Sequence, residues 1–556
     1  MASIKATSSP PVTAGGKGAG MARAAGMMFV ATLLSRLLGM ARDTIIAAKF
    51  GATIETDAYI AAFKIPDTLY YLIAGGALSS TFVPVFSEYW HHGKVKSAWK
   101  TFSIVATVTF LIGTGFVVLA EIFTPQFVRL LNPGYSLQKI ALTVPLTRIV
   151  LPAQVFFLMG GLLMGTQNAR GMFKTAALAP SIYNIGIIVG ALVFVPLLTG
   201  HVAHPIAGLM WGALLGAFIG NFLFQLIPVV RLGLHFRPSL QVTYPGAVKI
   251  WKMMLPILLG VSLPNVDQII NSLFASSLPN GAQTYLQYAN RIMLIPIGIF
   301  GQAMGIAILP TMAAMAAANQ KKEFKKTTNA GIRVILFLTV PASALFYLLA
   351  EPVVALLYHH QKFTGFDVLS TAVALRMYAI GICVWSAQAI LTRGFYALQD
   401  SRTPVISGTV MTVVFFGMNW FVVHETNTGI AGLALSTTIA ATMHLIIMFV
   451  LLRRRTRGLQ DAFLTASVIR IAFATAILCL VTAMTENILS SRVDPLQNTW
   501  YAAFDIALPG AVGILAYSVV SHVIHAPELS SVTGMMKGMA GRFGRGKAIP
   551  PPSEGL

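Results

Sequence analysis

The chain has 556 residues, of which 56% are hydrophobic and only 10% are Asp, Glu, Lys or Arg. Soluble domains usually carry about 25% charged residues, so this composition excludes a globule with a water-facing surface. The mean hydropathy of +0.74 and the many long apolar runs instead predict an all-α polytopic membrane protein. A net charge of +21 would suggest nucleic acid in a soluble chain. In a membrane chain it first sets orientation, and we expect no nucleic-acid partner.

The predicted elements begin with a polar tail and an uncleaved first helix. Residues 1–22 are rich in Ser, Pro, Gly and Ala and predict a disordered cytoplasmic tail. The first apolar run contains Arg36, Arg42 and Asp43, which are not typical of a cleaved signal peptide. Windows of about 20 residues predict about 14 transmembrane spans, near 26–49, 56–86, 102–123, 142–166, 176–198, 205–230, 250–276, 283–315, 331–350, 368–395, 404–423, 430–452, 467–488 and 503–525.

The loops between these spans alternate in charge. With the N-terminus inside, 26 of the 39 basic residues fall in inner segments and only 4 in outer loops. Cytoplasmic loops of membrane proteins carry such an excess of Lys and Arg. The pattern therefore predicts that both termini are cytoplasmic, the second within a tail at 529–556.

Short strings recur at a spacing of roughly 225 residues and suggest a duplication. Residues 206–209 (IAGL) recur at 430–433, and a hydrophobic-Pro pair at 83–84 recurs at 309–310, each before a basic segment. A six-helix unit repeated in parallel gives two lobes that can rock around a central site, so alternating access is favoured. Convergent loop chemistry is the alternative. The expected organisation is an N-lobe at 23–235, a C-lobe at 236–458, and two further helices at 459–528.

A few ionisable residues fall well inside the predicted spans, where charge is costly and usually functional. Arg36 and Asp43 are seven residues apart in span 1, as are Asp57 and Lys64 in span 2, so each pair shares a helix face. Lys64 has the alternative of a structural ion pair with Asp57 or Asp67. Arginine forks suit phosphate oxygens, so the charges in these spans predict an anionic cargo such as a phosphate or pyrophosphate. Basic residues closer to span ends are expected to snorkel to the surface, namely Lys49, Arg148, Arg376, Arg393 and Arg470.

No motif of an enzyme is present. The sequence has no HExxH, P-loop or nucleophile elbow, and its two cysteines, Cys383 and Cys479, lie in apolar runs that support neither a disulfide nor a metal site. We therefore expect no enzyme activity and no cofactor. Transport would be driven by a sodium or proton gradient, by the membrane potential or by substrate supply.

Several strings resemble the MurJ (MviN) family of lipid II flippases, within the multidrug/oligosaccharidyl-lipid/polysaccharide exporter superfamily. The resemblance runs from about residue 24 to 455. It is carried by SRLLGMARD at 35–43, FKIPD at 63–67, YANRIM at 288–293 and FYALQDSRTP at 395–404.

The resemblance implies a V-shaped two-lobed fold with a central cationic cavity. It implies that undecaprenyl-pyrophosphate-linked peptidoglycan precursor (lipid II) moves from the inner to the outer leaflet of the bacterial inner membrane, in support of cell-wall biogenesis and cell shape. Helices 13 and 14 would form a groove for the lipid tail. Expected partners are lipid II, membrane lipids and the cell-wall synthesis machinery, with the chain acting as a monomer. The residues to which the resemblance assigns substrate binding are Arg36, Arg42 and Arg291, with Asp43 and Asp57 as functional carboxylates and Lys64 as an added cation.

The chain also departs from the family pattern. Many relatives carry an arginine pair where this chain has Tyr70-Tyr71, and some carry Glu at Gly75. Some relatives bind sodium through carboxylates of helices 7 and 11; the candidates here are Asp267, Asn271 and Asn419. The alternatives to a lipid II flippase are an exporter of another polyprenyl-linked glycan or a drug, and a non-transporting cell-wall scaffold.

Overall fold

The computed structural model describes residues 14–73, 77–261, 266–490 and 494–534, and every regular element in these ranges is helical. The side chains of Tyr70 and Tyr71 and the whole of Gly75 lie outside the described residues. Eleven described helices are long and apolar enough to cross a membrane, which confirms an all-α polytopic membrane protein. They are Val95–Ile122, Leu137–Ala169, Phe173–Leu198, Ala207–Arg231, Ala282–Ala317, Lys321–Leu348, Gly365–Ala397, Arg402–Glu425, Gly429–Thr456, Asp461–Leu489 and Thr499–Val523.

Three predicted spans are built differently, so the count of 14 stays a prediction. Span 1 lies within α1 (Ala14–Phe50), which begins inside the tail predicted at 1–22 because the Ala-rich stretch continues the helix. Span 2 contains three short helices, α2 (Ile54–Ala62), α3 (Lys64–Ile73) and α4 (Ala77–His91). The seventh span contains Pro245–Val261 and Val266–Ala275.

The break between α2 and α3 follows from the local sequence. Thr53 begins α2 with a capping box in which its backbone N–H donates to Thr56 Oγ1 at 2.7 Å. Pro66 has no N–H to donate and its ring clashes with a preceding helical turn, so α2 ends at Ala62 and α3 starts anew at Lys64. The helical phase is therefore reset between Asp57 and Lys64.

Buried side chains form separate cores in two halves of the molecule, which we call the N-terminal half (described residues up to 254) and the C-terminal half (described residues from 266). Helix α1 lies between them, because Ile46 and Phe50 belong to a core of the N-terminal half and Ala47 to one of the C-terminal half. Residues 236–254 pack on the N-terminal half: Ile250 joins its core and Lys249 pairs with Glu88. The lobe boundary at 235/236 stays a prediction.

The last two long helices pack against each other and against Lys321–Leu348. Phe337, Leu478 and Tyr517 share a core there. Helical structure resumes at residue 527 after the turn that follows Thr499–Val523, and Glu528 in this stretch is 1% exposed and pairs with Arg333. This pair anchors the segment at 524–534 to the C-terminal half.

Candidate substrate cavity between the two halves

A cavity of about 180 Å³ lies between the two halves and is lined by residues of both. Three of its lining side chains are cationic and one is a carboxylate. Its lining is therefore polar and net positive inside an apolar bundle, which is the arrangement expected of a binding site for an anion. The lining residues that carry charge are Arg42, Lys64, Asp67 and Arg291.

Asp43 holds the two arginines of this cavity together. Its carboxylate is 5% exposed; Oδ1 accepts from Arg42 Nε at 3.0 Å, and Oδ2 accepts from Arg291 Nη1. Arg42 belongs to α1 and Arg291 to Ala282–Ala317, so one carboxylate joins an N-terminal and a C-terminal helix. Arg291 remains 30% exposed, which leaves guanidinium N–H groups free to meet a ligand.

Asn184 completes this cluster, although the sequence did not single it out. Its Oδ1 accepts from Arg42 Nη1 at 2.9 Å, and its Nδ2 donates to the Ser35 carbonyl at 3.1 Å. The side chain thereby ties the middle of α1 to Phe173–Leu198. A neutral polar residue in a long apolar helix gives little sequence signal; its burial beside an arginine is what identifies it.

Arg36 lies apart from the cavity lining. Its guanidinium packs directly on Gly298, where any side chain atom would collide with it. Gly298 lies in a π-helical stretch, Ile297–Gln302, of the same helix that carries Arg291. The predicted face shared by Arg36 and Asp43 therefore exists, but only Asp43 reaches the charged cluster.

Lys64 lies where a cavity cation was expected. Lys64 and Asp67 both line the cavity, and the alternative for Lys64, an ion pair with Asp57 or with Asp67, is not formed within the described part of the chain. Asp57 instead pairs with Lys139. The seven-residue spacing does not place residues 57 and 64 on one helix face, because the helix is interrupted at Phe63 and the two residues lie in different helices.

Asp57 is the centre of a buried contact between the halves that we call the Asp57 latch (Asp57, Lys139, Asn280, Gly281 and Thr284). The carboxylate accepts from Lys139 Nζ at 2.7 Å, from the backbone N–H groups of Gly281 at 2.8 Å and Thr284 at 3.0 Å, and from Thr284 Oγ1 at 2.7 Å. Lys139 also donates to Asn280 Oδ1 at 3.2 Å. All donors to Asp57 come from the protein, and the residue is 1% exposed.

A second layer of polar contacts surrounds the latch. The Tyr135 hydroxyl donates to Gln283 Oε1 at 2.6 Å, and Gln283 Nε2 donates to Asn132 Oδ1 at 3.0 Å. The Gly134 N–H donates to Ser276 Oγ at 3.1 Å, and a Cβ on Gly134 would lie 2.6 Å from the Ser276 carbonyl oxygen. The backbones of the two halves thus approach so closely that only glycine fits at position 134.

The sodium candidates hold separate partners. Thr412 Oγ1 donates to Asp267 Oδ1 at 3.0 Å, Asn271 Nδ2 donates to Thr437 Oγ1 at 3.2 Å, and Ser436 Oγ donates to Asn419 Oδ1. No group of three His, Cys, Asp or Glu side chains able to hold a metal was found among the described residues. Asp267 and Asn271 lie on one helix, Val266–Ala275, and Asn419 lies on Arg402–Glu425, so sodium binding by these three residues stays a prediction.

Two of the residues expected to snorkel lie near carboxylates. Arg148 Nε is 3.9 Å from Glu121 Oε2, and Arg376 Nη2 is 3.8 Å from Glu351 Oε2. All four side chains are partly exposed. Such loose pairs contribute little to stability and do not belong to the cavity.

A solved transporter structure of low sequence identity shares the fold of this chain. An inward-facing multidrug resistance MATE transporter of the MOP superfamily superposes with a TM-score of 0.64 at 17% identity, covering 77% of this chain and 96% of that one. At this identity the likeness concerns the fold alone.

The comparisons then identify the family. Residues 46–504 match the family described as "Lipid II flippase MurJ". The lipid II flippase MurJ of Burkholderia cenocepacia is 32% identical over 442 residues, 76% of this chain and 82% of that protein. A solved structure of lipid II flippase MurJ in an inward closed conformation superposes with a TM-score of 0.74 at 25% identity, covering 90% of this chain and 98% of that one. The chain belongs to the MurJ family of lipid II flippases and is a multi-pass bacterial membrane protein, a transporter rather than an enzyme.

Proposed function

We propose that this chain moves lipid II from the inner to the outer leaflet by alternating access around the central cavity. The observation that carries the proposal is the Arg42–Asp43–Arg291 cluster, which joins the two halves at a cavity with exposed guanidinium donors. Family membership supplies the substrate class. An exporter of a drug or another glycan and a non-transporting scaffold are not favoured by the family assignment.

The charge cluster suits a diphosphate in two ways. Arginine presents planar pairs of N–H donors that match phosphate oxygens, and the bond strengthens where water is excluded. Asp43 pairs with both arginines and offsets one of their two positive charges, so the cluster keeps a net positive charge for a diphosphate. An incoming diphosphate would compete with Asp43 for Arg291, which is the more exposed of the two, and would thereby loosen a bond between the halves.

The Asp57 latch would close the cavity on the side away from the cytoplasm. The lysine- and arginine-rich end of the helices, with Lys94, Lys96 and residues 453–457, would face the cytoplasm under the positive-inside rule. The latch would then lie on the outer side of the inner membrane, and both termini would be cytoplasmic. Substrate entry from the cytoplasm and release through an opened latch follow from this orientation.

The membrane potential is the driving force that this chemistry favours. An inside-negative potential pushes an anionic headgroup outward by about 2.3 kcal/mol per charge per 100 mV. Sodium coupling has less support because Thr412 already donates to Asp267 Oδ1 and Ser436 already donates to Asn419 Oδ1. Dissipating the potential with an ionophore at constant sodium should slow flipping, whereas removing sodium at constant potential should not.

One chain supplies both walls of the cavity, so we propose that it works as a monomer, while delivering lipid II to cell-wall synthesis enzymes.

The test is complementation of a flippase-depleted cell, with outer-leaflet lipid II measured directly. The wild-type chain should restore it, and Arg42→Ala and Arg291→Ala should not, although both variants insert at normal levels. Arg148→Ala is the matched control because Arg148 lies outside the cavity lining. An inserted wild-type chain that leaves outer-leaflet lipid II unchanged would overturn the proposal.

A further inference from the structure

The central cavity continues into the C-terminal half. A small cavity of about 50 Å³ shares Lys64 and Gln268 with the central cavity, and it shares Gln268, Asn271 and Asn290 with a larger cavity of about 440 Å³. A neighbouring cavity of about 300 Å³ has Asp267 and Gln388 in common with the larger one. A row of adjoining cavities therefore leads from Arg42 and Arg291 to Asp267.

Asp267 and Arg393 both line the larger cavity without pairing with each other. Neither takes part in an ion pair within the described residues. Asp267 accepts one hydrogen bond, from Thr412, and the Arg393 guanidinium lies 5.8 Å from the Tyr396 ring centroid. Asp267 is exposed and Arg393 is partly exposed, so each charge can be reached by a ligand group of opposite sign in the same cavity.

The other polar side chains around Asp267 offer acceptors. Asn271 Nδ2 donates to the Tyr378 hydroxyl at 3.0 Å and to Thr437 Oγ1 at 3.2 Å, and Thr437 in turn donates to the Leu433 carbonyl. Asn271 Oδ1 has no partner among the described residues. This unsatisfied oxygen lies one helical turn from the Asp267 carboxylate.

A similar chain of bonds fixes Gln388. Ser407 donates to the Thr403 carbonyl and so accepts from His444 Nε2–H, which leaves His444 Nδ1 to accept from Gln388 Nε2 at 2.7 Å. Gln388 Oε1 is then an unsatisfied acceptor within the described part of the chain. The Asp267 carboxylate and the two unpartnered amide oxygens are all acceptors that can bind a cation. An ammonium group suits them because it has three N–H donors.

We infer that the C-terminal half of the cavity binds the peptide of the lipid II headgroup, with an ammonium group at Asp267 and a carboxylate at Arg393. The inference rests on the proposed function. It gives the headgroup a fixed direction, because the diphosphate lies at Arg42 and Arg291 while the peptide extends toward Asp267. Asn271 and Gln388 add hydrogen bonds to the ammonium group, and Tyr396 lies beside the carboxylate subsite.

The test measures binding of headgroup variants to the full chain in lipid nanodiscs. Three probes are used: a polyprenyl-diphosphate-linked disaccharide peptide with a free side-chain amine, the same molecule N-acetylated at that amine, and the same molecule with its terminal carboxylate amidated. The wild-type chain should prefer the free amine by about ten-fold, the worth of one charged hydrogen bond. Asp267→Asn should still bind all three probes, but it should bind the free and acetylated forms equally.

Arg393→Gln provides an independent arm, because it should abolish the preference for the free carboxylate over the amide while keeping the preference for the amine. Asp461→Asn, at an exposed pair with Arg453, is the matched control and should change neither preference.

Equal binding of all three probes by the wild-type chain would overturn the inference alone. Failure to bind any of them would overturn the proposed function and the inference with it. Binding that needs sodium, and that Asp267→Asn weakens equally for all probes, would assign Asp267 to an ion and also overturn the inference.

Discussion

Two buried carboxylates, Asp57 and Asp43, join the same two halves of the molecule, yet their surroundings differ. Asp57 accepts four hydrogen bonds, all from protein groups, and its cation Lys139 is 4% exposed. Asp43 is shared by two arginines, and Arg291 remains 30% exposed toward a cavity.

The difference separates two uses of a charge inside a membrane. A carboxylate whose donors are all supplied by the protein holds two surfaces together, and it can be opened only when those bonds are lost together. A carboxylate shared by two arginines cannot accept from all of their N–H groups, so some donors remain available to an anionic ligand. We therefore propose that Asp57 acts as a closure and Asp43 as a counterion in a binding site.

The largest effect should follow from breaking the latch. Asp57→Asn leaves Lys139 buried without its counter-charge, and removing one partner of a buried pair costs about 3–5 kcal/mol. We expect a lower melting temperature in detergent and loss of transport. The double variant Asp57→Asn with Lys139→Gln should be more stable than Asp57→Asn alone, and an equal or lower stability would contradict a dominant role for the ion pair.

A slightly smaller effect is expected from Gly134→Ala. The added methyl group collides with the backbone at Ser276, so the halves cannot close fully while each half keeps its own core. Outer-leaflet lipid II should fall strongly with little change in expression. Gly115→Ala, which has open space around its Cβ position, is the control, and equal transport by both variants would show that close approach at Gly134 is dispensable.

Asn184→Leu tests the binding site at a smaller scale. Leucine has the same number of side-chain heavy atoms and the same branching but cannot accept from Arg42, so the guanidinium loses one of its two fixed partners. Losing one hydrogen bond to a charged group, about 1.5–3 kcal/mol, predicts roughly a ten-fold or greater weakening of lipid II binding with the latch intact. Asn184→Gln keeps a neutral amide acceptor and should bind more tightly than Asn184→Leu; the reverse order would remove Asn184 from the site.

The smallest effect concerns the segment at 524–534, outside both regions. Burial alone raises the pKa of Glu528, but hydrogen bonds from Ser467 and Arg333 outweigh it and lower the pKa below its usual value. A lowered folded pKa means that the anchor is fully present above the unfolded pKa of about 4.3 and is lost as pH falls through the folded value. Protection factors at 524–534, corrected for the intrinsic exchange rate at each pH, should therefore fall below about pH 4.3, and Glu528→Gln should remove this dependence without affecting transport. A fall that persists in Glu528→Gln would assign it to another group.

The sequence predicted the charged cavity better than the latch. Arg42, Asp43 and Arg291 could be singled out because charge in an apolar run is costly wherever the helices pack. The partner of Asp57 could not be predicted, because Lys139 lies in a loop between predicted spans. The alternative of a pair with Lys64 required an unbroken helix through both residues. Asn184 and Gly298 carry no charge, so their roles depend on distant packing that periodicity does not encode.

A reversible cross-link across the Asp57 latch tests directly whether lipid II passes through the central cavity when the two halves separate. In a background with Cys383 and Cys479 replaced by alanine, Tyr135→Cys and Gln283→Cys would be bridged by a short bifunctional thiol reagent with a reducible spacer. The side chains of these two residues meet in the native structure, so the bridge holds the two halves closed. The control is the pair Glu121→Cys and Arg148→Cys, which lies within the N-terminal half.

Outer-leaflet lipid II is then measured before bridging, after bridging and after reduction. We expect the Tyr135–Gln283 bridge to stop the appearance of lipid II in the outer leaflet, and we expect reduction to restore it. The control bridge should have no effect. Lipid II that reaches the outer leaflet at the unbridged rate while the latch is held closed would contradict passage through the central cavity.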